Sequence, residues 1–260
     1  MSEQFTVATA NTYYGQLLAS ADGLKPFLER EVDAILLQEV IGLTPEELEA
    51  QLHASGYQVS EFDPASGLAI ALREDGMLVP TDDQGRQHVI QPVGTFSRFA
   101  LKRQLPFAQR MRPRKLITAE LATKEGKHIT LITAHPIVFM RARSRSKQVR
   151  NIIDFVHDIG PDGTIILGAD MNHYPQPRAV DRQLIGKAGL QLVEIDEPTW
   201  RIKGSKHEWA GKIGSRAMKR ELDNFDAQLD SMWFTHATNI GSEVIDIDSD
   251  HRAIISKFEI

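Results

Sequence analysis

Residues Ile165-Ile166-Leu167-Gly168-Ala169-Asp170-Met171-Asn172 run from an unbroken apolar stretch straight into two polar side chains. A run this short, rich in β-branched residues, reads as a strand buried on both faces rather than as a helix. The same transition occurs twice more. Ile35-Leu36-Leu37 runs into Gln38-Glu39, and Ile129-Thr130-Leu131-Ile132-Thr133-Ala134 runs into His135. In α/β sheets ligands gather at the carboxyl ends of strands, so three endings bearing carboxylate or imidazole groups point to one site assembled from distant segments. Two more polar interruptions lie near the C-terminus. Gln228-Leu229-Asp230 places a carboxylate in an apolar run, and Asp248-Ser249-Asp250-His251 precedes the last strand.

Around these endings the chain alternates between strand and helix patterns. Phe5–Ala10 alternates as a strand, and Gln16–Arg30 carries Leu17, Leu18, Ala21, Leu24, Phe27 and Leu28 at helical spacing. Val32–Gln38 is a buried strand, and Thr44-Pro45-Glu46-Glu47 starts a helix with an N-cap, a first-turn proline and first-turn acids. Gly67–Arg73, Leu116–Thr123 and His128–Ala134 read as strands, the last two joined as a hairpin through Lys124-Glu125-Gly126-Lys127. Arg143–His157 and Ala179–Ala188 read as helices. Thr164–Ala169, Gln228–Thr235, Val244–Ile247 and Ala253–Phe258 read as strands, and Glu74–Gln87 as a polar surface loop. No repeat or linker divides the chain, so a single α/β domain over residues 1–260 is expected.

Composition narrows the chemistry. The chain is 42% hydrophobic and 25% charged, which excludes collagenous, coiled-coil and largely disordered classes. With no cysteine, a disulfide scaffold, a thiol nucleophile and thiolate metal sites are excluded. The net charge of -5 hides a segregation along the chain: residues 1–97 carry 4 basic and 15 acidic side chains, residues 98–150 carry 14 and 2, and residues 201–220 carry 7 and 1. Dense basic blocks in an acidic protein suggest a polyanionic substrate, although a solvated helix face and exposed loops also account for them. No signal peptide or membrane-length apolar run is visible, so a cytoplasmic location is expected, with secretion left open.

Taken singly, each polar ending has an ordinary explanation: a loop carboxylate for Glu39, a turn residue for Asn11, a hydrogen-bonded loop imidazole for His135. Together they supply carboxylates, amides and two histidines at strand ends, the set that metal-assisted phosphoester hydrolysis requires. Walker, dinucleotide-binding, serine-elbow and His-Glu-x-x-His motifs are missing from the sequence.

The blocks Ala8-Thr9-Ala10-Asn11, Leu37-Gln38-Glu39-Val40, Thr133-Ala134-His135-Pro136, Gly168-Ala169-Asp170-Met171-Asn172, Gln228-Leu229-Asp230-Ser231 and Ser249-Asp250-His251 resemble, in that order, the signatures of the endonuclease/exonuclease/phosphatase superfamily. That group includes pancreatic-type deoxyribonuclease, abasic endonucleases, inositol polyphosphate 5-phosphatases and neutral sphingomyelinases. The resemblance spans Asn11 to His251. It implies a four-layer α/β sandwich, two packed mixed β-sheets flanked by helices, of the deoxyribonuclease I-like type.

It also implies roles. Glu39 resembles the principal ligand of a divalent cation, with Asn11 and Asp250 completing its shell; an all-oxygen set favours Mg²⁺ or Mn²⁺. His251 resembles the general base and Asp230 the carboxylate that fixes its tautomer. Asp170 and Asn172 would orient the nucleophile, and His135 would donate to the phosphate or leaving group. Ala169 stands where the family usually has glycine. His135 stands where the abasic-repair branch has tyrosine, which argues against that branch.

Arg143, at the start of the helix after His135, is a candidate phosphate contact, as are Arg110, Arg112 and Arg114 in the block 98–115. That block and 141–150 interleave with Phe96, Phe99, Phe107 and Phe139. The favoured reading is therefore a monomeric metal-dependent nuclease on DNA or RNA. A phosphatase or phosphodiesterase on a small or lipid-linked phosphate is the alternative. A non-catalytic binding protein on the same fold is disfavoured, since Glu39, Asp170, Asn172, Asp230, Asp250 and His251 are all present.

Overall fold

Apolar runs that continue through both side-chain parities need cover on both faces, and the fold provides it. The protein was described from a computed structural model, which defines residues 2–20, 22–81, 85–91, 114–136, 142–160, 163–171, 186, 188–201, 226–227 and 229–260. Among these the strands are β1 (Gln4–Asn11), β2 (Ala34–Gln38), β3 (Tyr57–Asp63), β4 (Leu68–Arg73), β5 (Leu78–Pro80), β6 (Gln87–Gln91), β7 (Arg114–Thr123), β8 (His128–Ala134), β9 (Thr164–Asp170), β10 (Gln191–Leu192), β11 (Trp200–Arg201), β12 (Asp226–Ala227), β13 (Asp230–Thr235), β14 (Thr238–Asp246) and β15 (Arg252–Glu259). The helices are α1 (Gln16–Ala19), α2 (Lys25–Leu28), α3 (Pro45–His53) and α4 (Ala142–Ile159).

The strands form two mixed sheets. One has the order β14-β15-β1-β2-β4-β3; the other runs β10-β13-β9-β8-β7-β5, with β6 also on β7, and β11 and β12 pair separately. Each sheet is built around one parallel pair, β1 with β2 and β8 with β9, flanked by antiparallel neighbours. Side-chain alternation then sorts the core. Val7, Leu36, Ile70, Ile117, Leu131, Ile166, Met232 and Ile254 face the opposite sheet. Ile35 and Leu37 turn outward to Leu17, Phe27, Leu48 and Leu52, while Ile132, Ile165 and Leu167 meet Val149, Ile152, Ile153 and Val156 of α4. Two sheets lie face to face with helices outside, the four-layer arrangement expected from the resemblance.

Gly168 shows how closely the sheets approach. A Cβ there would lie 2.7 Å from Leu36 Cδ1 and 2.8 Å from Thr9 Cβ on the other sheet, so the strand interior has no room for a side chain.

Local departures from the sequence reading have local causes. The helix expected over Gln16–Arg30 is two short helices, α1 and α2. Gly23 passes so close to the first that a Cβ would sit 1.8 Å from the Leu17 carbonyl oxygen, and Pro26 opens the second. The stretch Glu74–Gln87 is not only loop. It contains β5, whose partner is β7, and its last residue begins β6. The strand over Tyr57–Asp63 and the two-residue strands β10, β11 and β12 have no counterpart in the sequence pattern, and the strand expected over Val244–Ile247 is the end of the longer β14, which stops at Asp246. The helix start at Thr44 is a full capping box: Thr44 Oγ1 accepts from the Glu47 amide and Glu47 Oε2 from the Thr44 amide. Apart from residues 186 and 188, the helix expected over Ala179–Ala188 lies outside the described residues. Among the described residues no helix is long and apolar enough to cross a membrane.

Candidate active site

Both parallel pairs end at the same edge of the sandwich. The carboxyl ends of β1, β2, β8 and β9 carry Asn11, Gln38 followed by Glu39, Ala134 followed by His135, and Asp170. The antiparallel neighbours start where these end. Asp230 pairs with Asp170 across β13 and β9, and His251 immediately precedes β15. With Asp250 beside His251, four carboxylates, two imidazoles and the Asn11 amide thus converge from six strands.

The innermost contact is between His251 and Asp230. His251 Nδ1 lies 2.8 Å from Asp230 Oδ2, and Asp230 is wholly buried. Thr199 holds the pair from beneath: its hydroxyl accepts the amides of Leu229 and Asp230, and its carbonyl accepts the Arg252 amide. Ser249 ties the loop before His251 to β1, accepting the His251 amide and donating to the Asn11 carbonyl.

Asp170 Oδ2 occupies the middle of the site. Asn11 Nδ2 donates to it at 2.9 Å, His135 Nε2 lies 3.5 Å away and His251 Nε2 3.8 Å away. Glu39 Oε1 is 3.8 Å from His135 Nε2, and Asp250 Oδ1 is 4.0 Å from His251 Nε2. On the far side of His135, Arg114 Nη1 is 3.4 Å from Nδ1.

Glu39 is held in an unfavourable backbone conformation, with φ +57° in a non-glycine residue. Its neighbours enforce it. Val40 donates to the Gly67 carbonyl, the Gln38 carbonyl accepts from the Thr12 amide, and the Gln38 side-chain amide reaches Thr9 Oγ1, the Leu36 carbonyl and Thr133 Oγ1. Gln38 therefore spans both sheets directly behind Glu39.

Charge crowding perturbs the site strongly. Burial, then Asp170 and Asp250, push the Glu39 carboxyl up to about 7, against smaller opposing pulls from His251 and Arg114. For His251, burial favours the neutral ring, but Asp230, Asp170 and Asp250 outweigh it and raise the imidazole to about 10. His135 goes the other way: burial and then Arg114 lower it to about 3, against Asp170. The Tyr13 phenol is raised by burial, Asp250 and Glu39, so it borders the same charges.

The donor set suits a hard cation. Asp250 Oδ1 is buried with no hydrogen-bond partner, and Glu39 is repelled by two other carboxylates. Such a cluster is relieved by a divalent ion with oxygen ligands. Asp170, Asp230 and His251 also bring ligand atoms within 4.8 Å of one another, but Asp230 Oδ2 and His251 Nδ1 are committed to each other. The side-chain oxygen of Asn11 accepts from the Tyr13 amide and its nitrogen is given to Asp170, so Asn11 chiefly orients Asp170.

The structure thus brings together Asn11, Glu39, His135, Asp170, Asp230, Asp250 and His251, and adds Arg114. Asn172, Arg110 and Arg112 lie outside the described residues, as do the four interleaved phenylalanines; Arg143 lies in α4, its side chain undescribed. Thr199, Gln38, Thr133 and Ser249 were not singled out from sequence. Their importance comes from what they touch across the sheets, which no local pattern reports.

No protein-family model matches the sequence, and no curated protein matches it. Solved structures do resemble the fold over nearly its full length. An endonuclease/exonuclease/phosphatase from Bacteroides vulgatus matches with TM-score 0.67 at 15% identity, covering 99% of each chain. TDP2 from D. rerio, complexed with single-strand DNA product, matches with TM-score 0.65 at 17% identity over 98% of this chain and 99% of that one. The human Nocturnin catalytic domain with bound sulfate matches with TM-score 0.65 at 14% identity over 98% and 94%.

This chain has the endonuclease/exonuclease/phosphatase fold.

Within that deoxyribonuclease I-like fold the carboxyl ends of four strands and the starts of two others meet at one edge.

Proposed function

We propose that this chain is a divalent-metal-dependent phosphoesterase that hydrolyses phosphodiester bonds with a His251-activated water, and that its substrate is DNA or RNA. One observation carries the reading: the buried His251–Asp230 pair, its free nitrogen turned toward Asp170 and Asp250 beside Glu39. A hard divalent cation such as Mg²⁺ or Mn²⁺, held by Glu39 and Asp250 with Asn11 at its edge, would polarise a phosphoryl oxygen when bound. With carboxylates alone around it His251 keeps its proton, so positive charge is needed nearby before the ring can act as a base.

In this mechanism His251 Nε2 takes the proton of the attacking water, and Asp230 accepts from Nδ1–H and supports the imidazolium that forms. Asp170, oriented by Asn11, directs the water, with Asn172 as its assigned companion. His135 donates to a phosphoryl oxygen as charge develops.

Nucleic acid as substrate is supported by the charge segregation, 14 basic against 2 acidic side chains over residues 98–150. The small-phosphate reading is supported by Arg114, which stands inside the site rather than along a distant track. The deciding experiment is turnover of plasmid DNA, single-stranded DNA, RNA, inositol phosphates and sphingomyelin with Mg²⁺ and Mn²⁺, before and after EDTA. Hydrolysis of a nucleic acid that stops in EDTA and returns with metal is expected. Full turnover by metal-stripped protein, or none on any substrate, overturns the reading. For the substrate class, Arg110 and Arg112 are neutralised together and DNA affinity is measured across a salt series in Ca²⁺. The salt slope should fall by about 0.7–0.9 per lost contact. An unchanged slope places the small phosphoester first.

A further inference from the structure

The two histidines of the site are backed by opposite partners. Behind His251 stands a carboxylate, Asp230, against Nδ1 at 2.8 Å; behind His135 stands a guanidinium, Arg114, with Nη1 3.4 Å from Nδ1. The arrangement follows from the β7–β8 hairpin, whose register pairs Leu116 with Ala134 and so brings Arg114 and His135 to the same end of adjacent strands.

A guanidinium has N–H donors only and keeps its charge, so a ring nitrogen facing it must present a lone pair. In a neutral imidazole the single proton then sits on the other nitrogen. For His135 that nitrogen is Nε2, buried without a hydrogen-bond partner and turned into the site, 3.5 Å from Asp170 Oδ2 and 3.8 Å from Glu39 Oε1. A buried N–H without an acceptor is costly, so its persistence marks a place where a ligand atom completes the bond.

We propose that Arg114 is a positioning residue for His135: it fixes the imidazole as the Nε2–H tautomer and so presents a fixed donor to a phosphoryl oxygen in the site. This rests on, and sharpens, the phosphoesterase reading. The Arg114 guanidinium lies on the side of the ring away from Asp170 and Glu39, so its donors meet Nδ1 and leave Nε2 facing the site. Its neighbour Lys115 does not duplicate the role, because its ammonium is engaged by Asp63 at 3.2 Å and Gln87 at 3.0 Å. Read from sequence, Arg114 is one of a row of distant phosphate contacts; in the fold it acts through an imidazole at the reacting centre.

The test uses the full chain labelled with ¹⁵N-histidine, metal-free and without substrate, so that the tautomer is read independently of turnover. The His135 signal is assigned by its loss in His135→Gln. In the wild type it should show a protonated Nε2 and a bare Nδ1. In Arg114→Met the proton should move to Nδ1, and Arg114→Lys should restore the wild-type pattern. With bis(4-nitrophenyl) phosphate and Mg²⁺, Arg114→Met should lower kcat about 10²–10³-fold with KM little changed, the loss expected for one transition-state donor. Combined with His135→Gln it should add nothing further.

Retention of the Nε2–H pattern in Arg114→Met overturns the proposal, as do kinetic losses that add in the double variant, since Arg114 would then bind substrate on its own account. Should Arg114→Met fail to fold, Arg114→Gln gives the same readings. If the wild type shows the expected tautomer but hydrolyses no phosphodiester, the phosphoesterase reading fails and the tautomer assignment stands.

Discussion

Replacing Gly168 with alanine tests how closely the site depends on the fit between the sheets. The added Cβ would meet Leu36 Cδ1 at 2.7 Å, Thr9 Cβ at 2.8 Å and Thr9 Oγ1 at 2.9 Å. Leu36 and Thr9 are fully buried, so neither can swing into solvent. Forcing a methyl into such a core costs about 1–3 kcal/mol. Lower chain entropy in the unfolded state returns about 0.4–1 kcal/mol, leaving a net loss of up to about 2.5 kcal/mol by these two principles. In a chain of this length that lowers Tm by up to about 10 °C. Activity should fall as well: Thr9 Oγ1 accepts from the Gln38 side chain behind Glu39, and Gly168 is two residues from Asp170. The assay is urea unfolding with m unchanged, paired with turnover of the folded protein at 15 °C. Gly163→Ala is the control, since a Cβ there meets nothing within 4 Å. If Gly168→Ala is as stable as Gly163→Ala, the sheets are not in register-locked contact beneath the site and the argument fails.

Glu39→Gln should abolish metal-dependent turnover yet raise Tm, because it removes a buried carboxylate repelled by Asp170 and Asp250; a lower Tm in differential scanning calorimetry would contradict this. His251→Ala should cost about 10²–10⁴-fold in kcat. It should also destabilise by about 3–5 kcal/mol, since Asp230 is left buried and unpaired; urea titration alongside single-turnover kinetics separates the two effects. Tyr57, wholly buried with its hydroxyl donated to the Val32 carbonyl, has its phenol raised by burial. A raised folded pKa means the unfolded chain loses the proton first, so this contribution is intact below pH 10 and is lost as pH rises above it. Tyr57→Phe should therefore show a shallower fall of stability between pH 9.5 and 11, and an identical slope would refute the assignment.

What the sequence disclosed follows the physics of its strands. Ile35–Leu37 and Ile165–Leu167 are apolar at every position because helices cover one face and the other sheet covers the second. Any polar group at their ends therefore stood out. The strand Tyr57–Asp63 gave no such signal: it lies at a sheet edge, its central residues are half-buried, and a bulge between Val59 and Glu61 breaks the alternation. The break between α1 and α2 was hidden because the apolar spacing continues across it, whereas the approach of Gly23 to Leu17 and the start of α2 at Pro26 decide it. Asp230 shows in the sequence only as a carboxylate in an apolar run; its burial comes from pairing with Asp170 on β9 and from His251 of the other sheet. Arg114 was legible only as one member of a basic block: charge density is visible in a sequence, whereas the hairpin register that sets this side chain beside His135 is not.

The same topology explains why carboxylates and imidazoles collect here at all. Each sheet has one parallel pair, and a parallel pair aligns its two carboxyl ends. The antiparallel neighbour of each pair begins where the pair ends, adding Asp230 to one sheet and His251 to the other. Packing the sheets face to face then places the two clusters against each other, joined by Asn11 to Asp170 and by His251 to Asp230. Neither sheet holds a complete site. Asp170, Asp230 and His135 come from one, and Asn11, Glu39, Asp250 and His251 from the other. His251 and Asp230, the proposed base and its supporting carboxylate, are separated unless the sandwich is assembled, so loss of sheet packing and loss of activity should coincide.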